Sequence, residues 1–172
     1  MHSRSRARLE VNKVVLRINE IRNSYLYTKR STVTIRRNGQ ESIIPGKGLF
    51  CTSTLYEKDI IVYYSGEWIT LHEMEIRVRD GYGGYMHRAR TTDALKVLDC
   101  YASHSEGHCL ASNANSATNA FHKVGGEWIK LNKNAGIVVS RNLGAKLVVT
   151  AKCILPNVEI LTTYGTSYKY PN

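Results

Sequence analysis

Seven short runs rich in β-branched and aromatic side chains, set apart by Gly, Asn and Asp, constrain this chain more than any other feature. They are Thr32–Arg36, Gly48–Thr52, Asp59–Ile69, Lys96–Cys100, Gly136–Ser140, Lys146–Lys152 and Glu159–Tyr164. β-Branched residues suit a pleated, half-buried surface, and runs this short predict several small sheets. Two stretches break the pattern. Val11, Val14, Val15, Ile18, Ile21 and Tyr25 recur at helical spacing, with Lys13, Arg17, Glu20 and Arg22 elsewhere on the circle, predicting an amphipathic helix from roughly Glu10 to Tyr25. A shorter helix is expected over Leu71–Arg79, ended by Asp80-Gly81-Tyr82-Gly83-Gly84. No strand or helix is assigned between Phe121 and Asn134. The expected fold class is α+β, mostly β, with an N-terminal helix and a short middle helix.

Composition narrows the class. With 172 residues, 42% of them hydrophobic, the chain suits one ordinary domain with a real core. Sparse cysteine and the lack of a glycine period exclude a disulfide scaffold and collagen, and the apolar content excludes disorder. Apolar runs such as Ile60-Ile61-Val62-Tyr63-Tyr64 fall far short of a membrane span, and Met1-His2-Ser3-Arg4 leads into no apolar signal core. These readings predict a soluble, intracellular protein, nuclear in a eukaryote, with no membrane partner. Cys51, Cys100, Cys109 and Cys153 stand singly and read as small buried thiols. His104 and His108, beside Cys109, have the one spacing suggestive of a metal, and the surrounding Ser/Gly-rich loop argues against it, so no metal is expected.

Charge is uneven. Residues 1–45 hold ten basic and three acidic side chains, +7 of the formal +10, leaving +3 for the rest. Such a segment suits phosphate contact, with DNA or a nucleosome as candidate partner, or is a solvated helix face.

Three segments offer chemistry. In Pro45-Gly46-Lys47-Gly48-Leu49-Phe50, glycines let backbone approach a ligand closely, although a simple turn has the same sequence. Ala111-Ser112-Asn113-Ala114-Asn115-Ser116-Ala117-Thr118-Asn119-Ala120 favours neither helix nor strand, so it is a surface linker or a packed ligand loop held by side-chain hydrogen bonds. Glu159-Ile160-Leu161-Thr162-Thr163-Tyr164-Gly165-Thr166-Ser167-Tyr168 is a strand closing on a tyrosine, with a second aromatic four residues on.

Taken in this order, the segments resemble the SET domain, the lysine methyltransferase family that uses S-adenosylmethionine, over about residues 44–170. The family's G-x-G opening and its later Y-x-G-E strand are similar to Gly46-Lys47-Gly48 and to Tyr64-Ser65-Gly66-Glu67. Its N-H-S-x-x-P-N loop matches Asn113 to Asn119 at both terminal asparagines, and its closing G-E-E-L-T-Y-D-Y run is similar to Asn157 through Tyr164. The resemblance divides the chain into a basic N-terminal segment, 1–43, and a minimal SET-like domain, 44–172, without flanking cysteine-rich segments.

The resemblance implies an enzyme, a protein-lysine N-methyltransferase acting on a basic peptide such as a histone tail. Gly46, Lys47 and Gly48 would hold the methionine end of S-adenosylmethionine, Tyr85 would lie against it, Asn113 with Ala114 would hold the adenosyl part, and Tyr168 would stack on adenine. Tyr164 would be the catalytic tyrosine, with Tyr64 beside it, and Tyr64 and Thr162 would line the lysine channel. Thr162 stands where the family often has an aromatic that limits methyl number, which implies room for higher methylation states. Ala114, Asn115 and Thr118 replace the family's histidine, serine and proline, Leu110 replaces an arginine, and Thr163 an acidic residue. Those departures leave open a catalytically silent SET-fold binding or scaffold subunit of a chromatin-associated complex.

Overall fold

The computed structural model describes residues 17, 19–20, 24–37, 40–44, 46–82, 85–90, 95–140 and 144–164. Strands come first, in the order β1 (Leu26–Arg30), β2 (Thr34–Arg37), β3 (Gln40–Ile43), β4 (Lys47–Cys51), β5 (Leu55–Tyr56), β6 (Ile60–Tyr63) and β7 (Glu67–Ile69). Helix α1 (Leu71–Arg79) follows, then β8 (Met86–Arg90), β9 (Leu95–Asp99), the short α2 (Tyr101–Ser105) and a 3₁₀ turn (Leu110–Asn113). The chain continues through β10 (Asn115–Ser116), β11 (Ala120–Val124), β12 (Glu127–Lys130), β13 (Ala135–Ser140), β14 (Gly144–Val149), β15 (Cys153–Ile154) and β16 (Glu159–Thr162). Among the described residues these make five small sheets, ordered β1-β4-β16-β10, β12-β11-β2-β3, β13-β14-β6, β15-β5 and β7-β9-β8. The fold is therefore α+β and mostly β, with small helices.

The pairing that matters for the site is the parallel one. β16 runs antiparallel to β4 on one side and parallel to β10 on the other, with Asn115 opposite Leu161 and Ser116 opposite Thr162. A parallel pair cannot be closed by a tight turn. Here the chain makes a long excursion through β11 to β15 before β16 returns, so the loop at 113–119 and the end of β16 are brought together by tertiary structure alone. Asn134 fastens the return: its Nδ2 donates to Glu159 O at 2.9 Å and its Oδ1 accepts from Leu161 N at 2.8 Å.

Several expectations hold and several change. Helix α1 has the expected bounds, because Thr70 and Glu73 form a reciprocal capping box at its start. The N-terminal helix is described only at Arg17, Asn19 and Glu20, which are helical; the rest of its expected span lies outside the described residues, save that Ser24 and Tyr25 form a turn rather than its last residues. The run 59–69 is two strands, since β6 pairs with β14 and β7 with β9, and the chain changes partner between them. The stretch 121–134 is mostly a hairpin, with Gly125 and Gly126 at φ 59° and 90° supplying the left-handed pair that a two-residue turn demands. Leu26–Arg30, Thr34–Arg37 and Gln40–Ile43 form β1 to β3, in sheets shared with β4 and β11. Asn19 binds both backbone groups of Tyr63 on the edge strand β6, at 3.2 and 3.0 Å.

Lys58, at φ 72°, occupies the turn before β6 with an exposed side chain. The left-handed region costs an L-residue about 1–2 kcal/mol, which glycine escapes while losing some chain entropy. Lys58→Gly is therefore expected to raise stability by about 0.5–1 kcal/mol, read as a shift of the urea midpoint; a fall would refute it.

Candidate active site

Tyr64, Tyr85 and Tyr164, far apart in sequence, stand around one cavity of about 80 Å³, with Met86, His87, Ser112 and Ile137 completing its wall. Each reaches it from a different element. Tyr64 follows the end of β6 and is held by its N–H on Ala145 O at 2.8 Å. Tyr85 precedes β8, and its carbonyl accepts from Cys100 N at 3.1 Å. Its φ of 66° is an outlier for an aromatic residue, and its ring stacks on His104 with centroids 4.0 Å apart. Tyr164 lies two residues past β16 and donates its hydroxyl hydrogen to Ala114 O, so the loop after the 3₁₀ turn orients that hydroxyl.

Two of the wall residues also carry buried polar atoms. The Tyr64 hydroxyl and His87 Nε2 are shut off from solvent and have no hydrogen-bond partner among the described residues. An unsatisfied buried polar group costs about 1–3 kcal/mol, so two in one wall need a reason. Their rings meet at 4.1 Å with a 57° tilt. Burial pushes the Tyr64 phenol well up, reinforced by Tyr164, Cys109 and Cys100, so it stays protonated. Burial also pushes the His87 imidazole down to about 4, which leaves it neutral near pH 7. Behind Tyr64 sit two buried thiols: the Cys100 S–H donates to Cys109, which lowers the Cys109 thiol to about 6 and raises that of Cys100.

A folded pKa near 4 against an unfolded value of about 6.5 fixes a sign. Between these values the unfolded chain binds the proton and the folded one resists it, so the His87 contribution is present above pH 6.5 and lost as pH falls through 4. Thermal unfolding from pH 7 to 4 should show the wild type losing more stability than His87→Phe. Parallel pH profiles would overturn the assignment.

Beside the cavity lies a polar clasp. Glu159, buried at the start of β16, accepts from Ser31 Oγ at 2.8 Å, Thr32 N at 3.2 Å and Asn115 Nδ2 at 2.8 Å. The same Asn115 amide reaches Lys47 O at 3.2 Å. A Cβ on Gly48 would overlap Glu159 Oε1, so glycine is required there for close approach to a side chain. His104 Nδ1 meets Ser112 Oγ at 2.7 Å, while Ser112 Oγ donates to Cys109 O at 2.6 Å. With the hydroxyl hydrogen so committed, His104 is the donor and the pair is no nucleophile-base dyad. Burial, then the nearby Lys47 ammonium, lowers the His104 pKa, which puts Lys47 in the electrostatic neighbourhood of the Tyr85–His104 stack.

Of the residues expected to act, Tyr64, Tyr85 and Tyr164 converge, and Ala114 joins them through its carbonyl. Gly46, at φ 123°, and Lys47 are exposed, and neither lines the cavity; Gly48 is buried against Glu159. Asn113 turns its Nδ2 onto Cys109 O and Leu110 O, at 3.4 and 3.3 Å. Thr162 is fully buried with an unpartnered hydroxyl and is not part of the cavity wall. Tyr168 lies outside the described residues. Contrary to expectation, Cys153 is exposed. His108 is exposed near Glu106 while His104 turns to Ser112, and among the described residues no three His, Cys, Asp or Glu side chains gather as for a metal.

His87, Met86, Ser112 and Ile137 were not anticipated. No local signal marked His87, since Tyr85 precedes β8 with a left-handed backbone and strand alternation does not link the two. No family model and no curated protein matches this sequence.

Proposed function

We propose that this protein is an S-adenosylmethionine-dependent protein-lysine N-methyltransferase of SET-domain type, acting on a basic peptide such as a histone tail. The observation that carries the reading is the convergence of Tyr64, Tyr85 and Tyr164 on one narrow cavity from three separate segments, each a position where the SET pattern has a working tyrosine. A lysine side chain is an unbranched apolar stem with an amine at its tip, and a small aromatic-walled cavity suits it.

Within this reading the residues have distinct tasks. Aromatic burial disfavours ammonium, and the wall supplies no anion to hold one, since Tyr64 stays protonated and His87 neutral. The amine therefore enters after losing its proton to water, in the form whose lone pair can attack. S-adenosylmethionine, when bound, supplies an electrophilic methyl on a sulfonium. The fit is favourable at Tyr85, whose left-handed backbone sets a ring stacked on His104 in the cavity wall; Gly46, Lys47 and Gly48 would hold the methionine end and Asn113, Ala114 and Tyr168 the nucleoside end. Tyr164, its hydroxyl hydrogen committed to Ala114 O, presents an oriented oxygen to the reacting centre. The basic segment, +7 over residues 1–45, would dock on DNA or a nucleosome and bring a basic tail within reach.

A second reading has one observation in its favour. The Asn113 and Asn115 amides are turned onto the protein's own carbonyls and Glu159, which suits a silent SET-fold binding or scaffold subunit of a chromatin complex. Titration calorimetry separates the two: the enzyme is expected to bind S-adenosylmethionine and to label lysine peptides on an array. No heat at millimolar cofactor would sink the enzyme and leave the scaffold.

A further inference from the structure

We propose that the outward face of the sheet β12-β11-β2-β3 is a platform for single-stranded RNA, on which Trp128 and Phe121 stack unpaired bases while Lys123 and Lys130 hold the phosphates between them. This partner is independent of the activity proposed above, because none of the four residues lines the cavity.

The register defines the face. Lys130, Phe121, Thr34 and Ile43 stand directly opposite one another and form one row across all four strands. Lys123 and Trp128 oppose each other two residues nearer the Gly125-Gly126 turn, so strand alternation puts them on the same side. The other side turns inward at Ile35 and Ala120, which pair with each other and are buried in a core cluster. Lysine and aromatic ring therefore alternate on the outward side both along and across β11 and β12. Lys123, Lys130 and Ile43 are exposed, while Phe121, Trp128 and Thr34 are half-buried. Lys123 Nζ stands 5.1 Å from the centre of the Trp128 ring, so a phosphate at the ammonium and a base at the indole would be neighbours on one strand.

The core does not account for these rings. The chain has 2 Phe and 2 Trp; Phe50 is buried and Trp68 packs against the main core, whereas Phe121 and Trp128 belong to no core cluster among the described residues. Nor do the ammonium groups serve ion pairs, since Lys123 and Lys130 make none among the described residues. The carboxylates of the sheet stand aside: Glu127 opposes Val124 on the other side of the pleat, and Glu41 lies on β3, two strands from β11. An occupant of such a face must present anions and flat apolar groups by turns. A nucleic-acid strand does, and every base has a face on which a ring can stack. In a duplex those faces are covered by neighbouring bases and only edges are offered, so the aromatic pair suits an unpaired strand. An acidic peptide would meet the lysines and leave the rings idle. Thr34 sets a hydroxyl in the row beside Phe121, where a ribose 2′-hydroxyl can hydrogen-bond with it and deoxyribose offers nothing. The formal charge of +10 draws a polyanion toward the protein.

The test uses the whole protein and a labelled oligouridine of about 15 nucleotides, followed by anisotropy and by quenching of tryptophan emission. The wild type is expected to bind it with quenching, and more tightly than it binds oligodeoxyuridine or polyglutamate of the same length. Trp128→Leu should weaken the RNA complex by about 5- to 100-fold and remove most of the quenching, because Trp68 packs against the core. The same variant should keep the wild-type dependence of affinity on salt and the wild-type affinity for a DNA duplex, both matters of charge. Lys123→Gln should weaken the RNA complex less and flatten the slope of log affinity on log salt by about 0.7, the share of one phosphate on a single strand. An unquenched wild type, an RNA affinity undiminished in Trp128→Leu, or a duplex affinity lost in step with it overturns the platform. Polyglutamate bound as tightly as RNA overturns it too, and oligodeoxyuridine bound as tightly as oligouridine overturns the assignment to RNA. Should Trp128→Leu not fold, the wild-type quenching and the Lys123→Gln salt slope decide.

Discussion

Tyr164→Phe is expected to lower the rate of lysine methylation by about 10²–10³-fold, the usual cost of removing one preorganised polar group from the reacting centre. The geometry makes this a clean deletion. The hydroxyl donates to Ala114 O and stands in a cavity whose other walls, Tyr64, Tyr85 and His87, are held by separate elements, so the ring can stay while its oxygen goes. The stability cost should be small, about 0.5–1.5 kcal/mol for one hydrogen bond, because Ala114 O loses a partner and nothing larger moves. Initial rates at saturating cofactor and peptide, with thermal unfolding alongside, check both halves. Equal rates in the two proteins would remove Tyr164 from the mechanism and favour the scaffold reading. A collapse of stability would instead make the tyrosine a strut.

The second large effect is on folding. Glu159→Leu is expected to destabilise by about 3–5 kcal/mol, a large share of the 5–15 kcal/mol that holds a typical domain together. Three donors, Ser31 Oγ, Thr32 N and Asn115 Nδ2, converge on this buried carboxylate from two segments of chain, and an apolar isostere strands all of them. Glu159→Gln should cost less, since one oxygen remains to accept and the serine hydroxyl can turn to meet the new amide. Gly48→Ala should mimic the leucine variant in part, its Cβ displacing the carboxylate. Because Asn115 joins the clasp to Lys47 O, the variants should also weaken cofactor binding before they unfold the chain. Urea unfolding ranks the three; a Glu159→Leu midpoint shift equivalent to under about 0.5 kcal/mol would show that the clasp contributes nothing.

The two predictions separate what local pattern can reveal from what it cannot. Helix α1 was legible to the residue, because Thr70 and Glu73 write its start within four positions and Asp80-Gly81 its end. The hairpin at β11 and β12 was equally local, and Gly125-Gly126 was its signature, missed for want of a clear alternation around it. The split of residues 59–69 into β6 and β7 was not legible. Both halves are β-rich, and only the exchange of β14 for β9 as partner breaks them.

The site shows the same division. The sequence by itself determined an α+β chain of short strands, through composition, turns and spacing that act over a few residues; Tyr64, Tyr85 and Tyr164 were implied only by the resemblance of its three loose motifs to the SET pattern. Tertiary structure alone decided that the three tyrosines share a cavity, that Thr162 stands outside it while His87 stands within, and that Glu159 ties residue 31 to residue 115. The physical reason is the parallel pairing of β10 with β16: it joins segments more than forty residues apart, through hydrogen bonds whose partners no local pattern names.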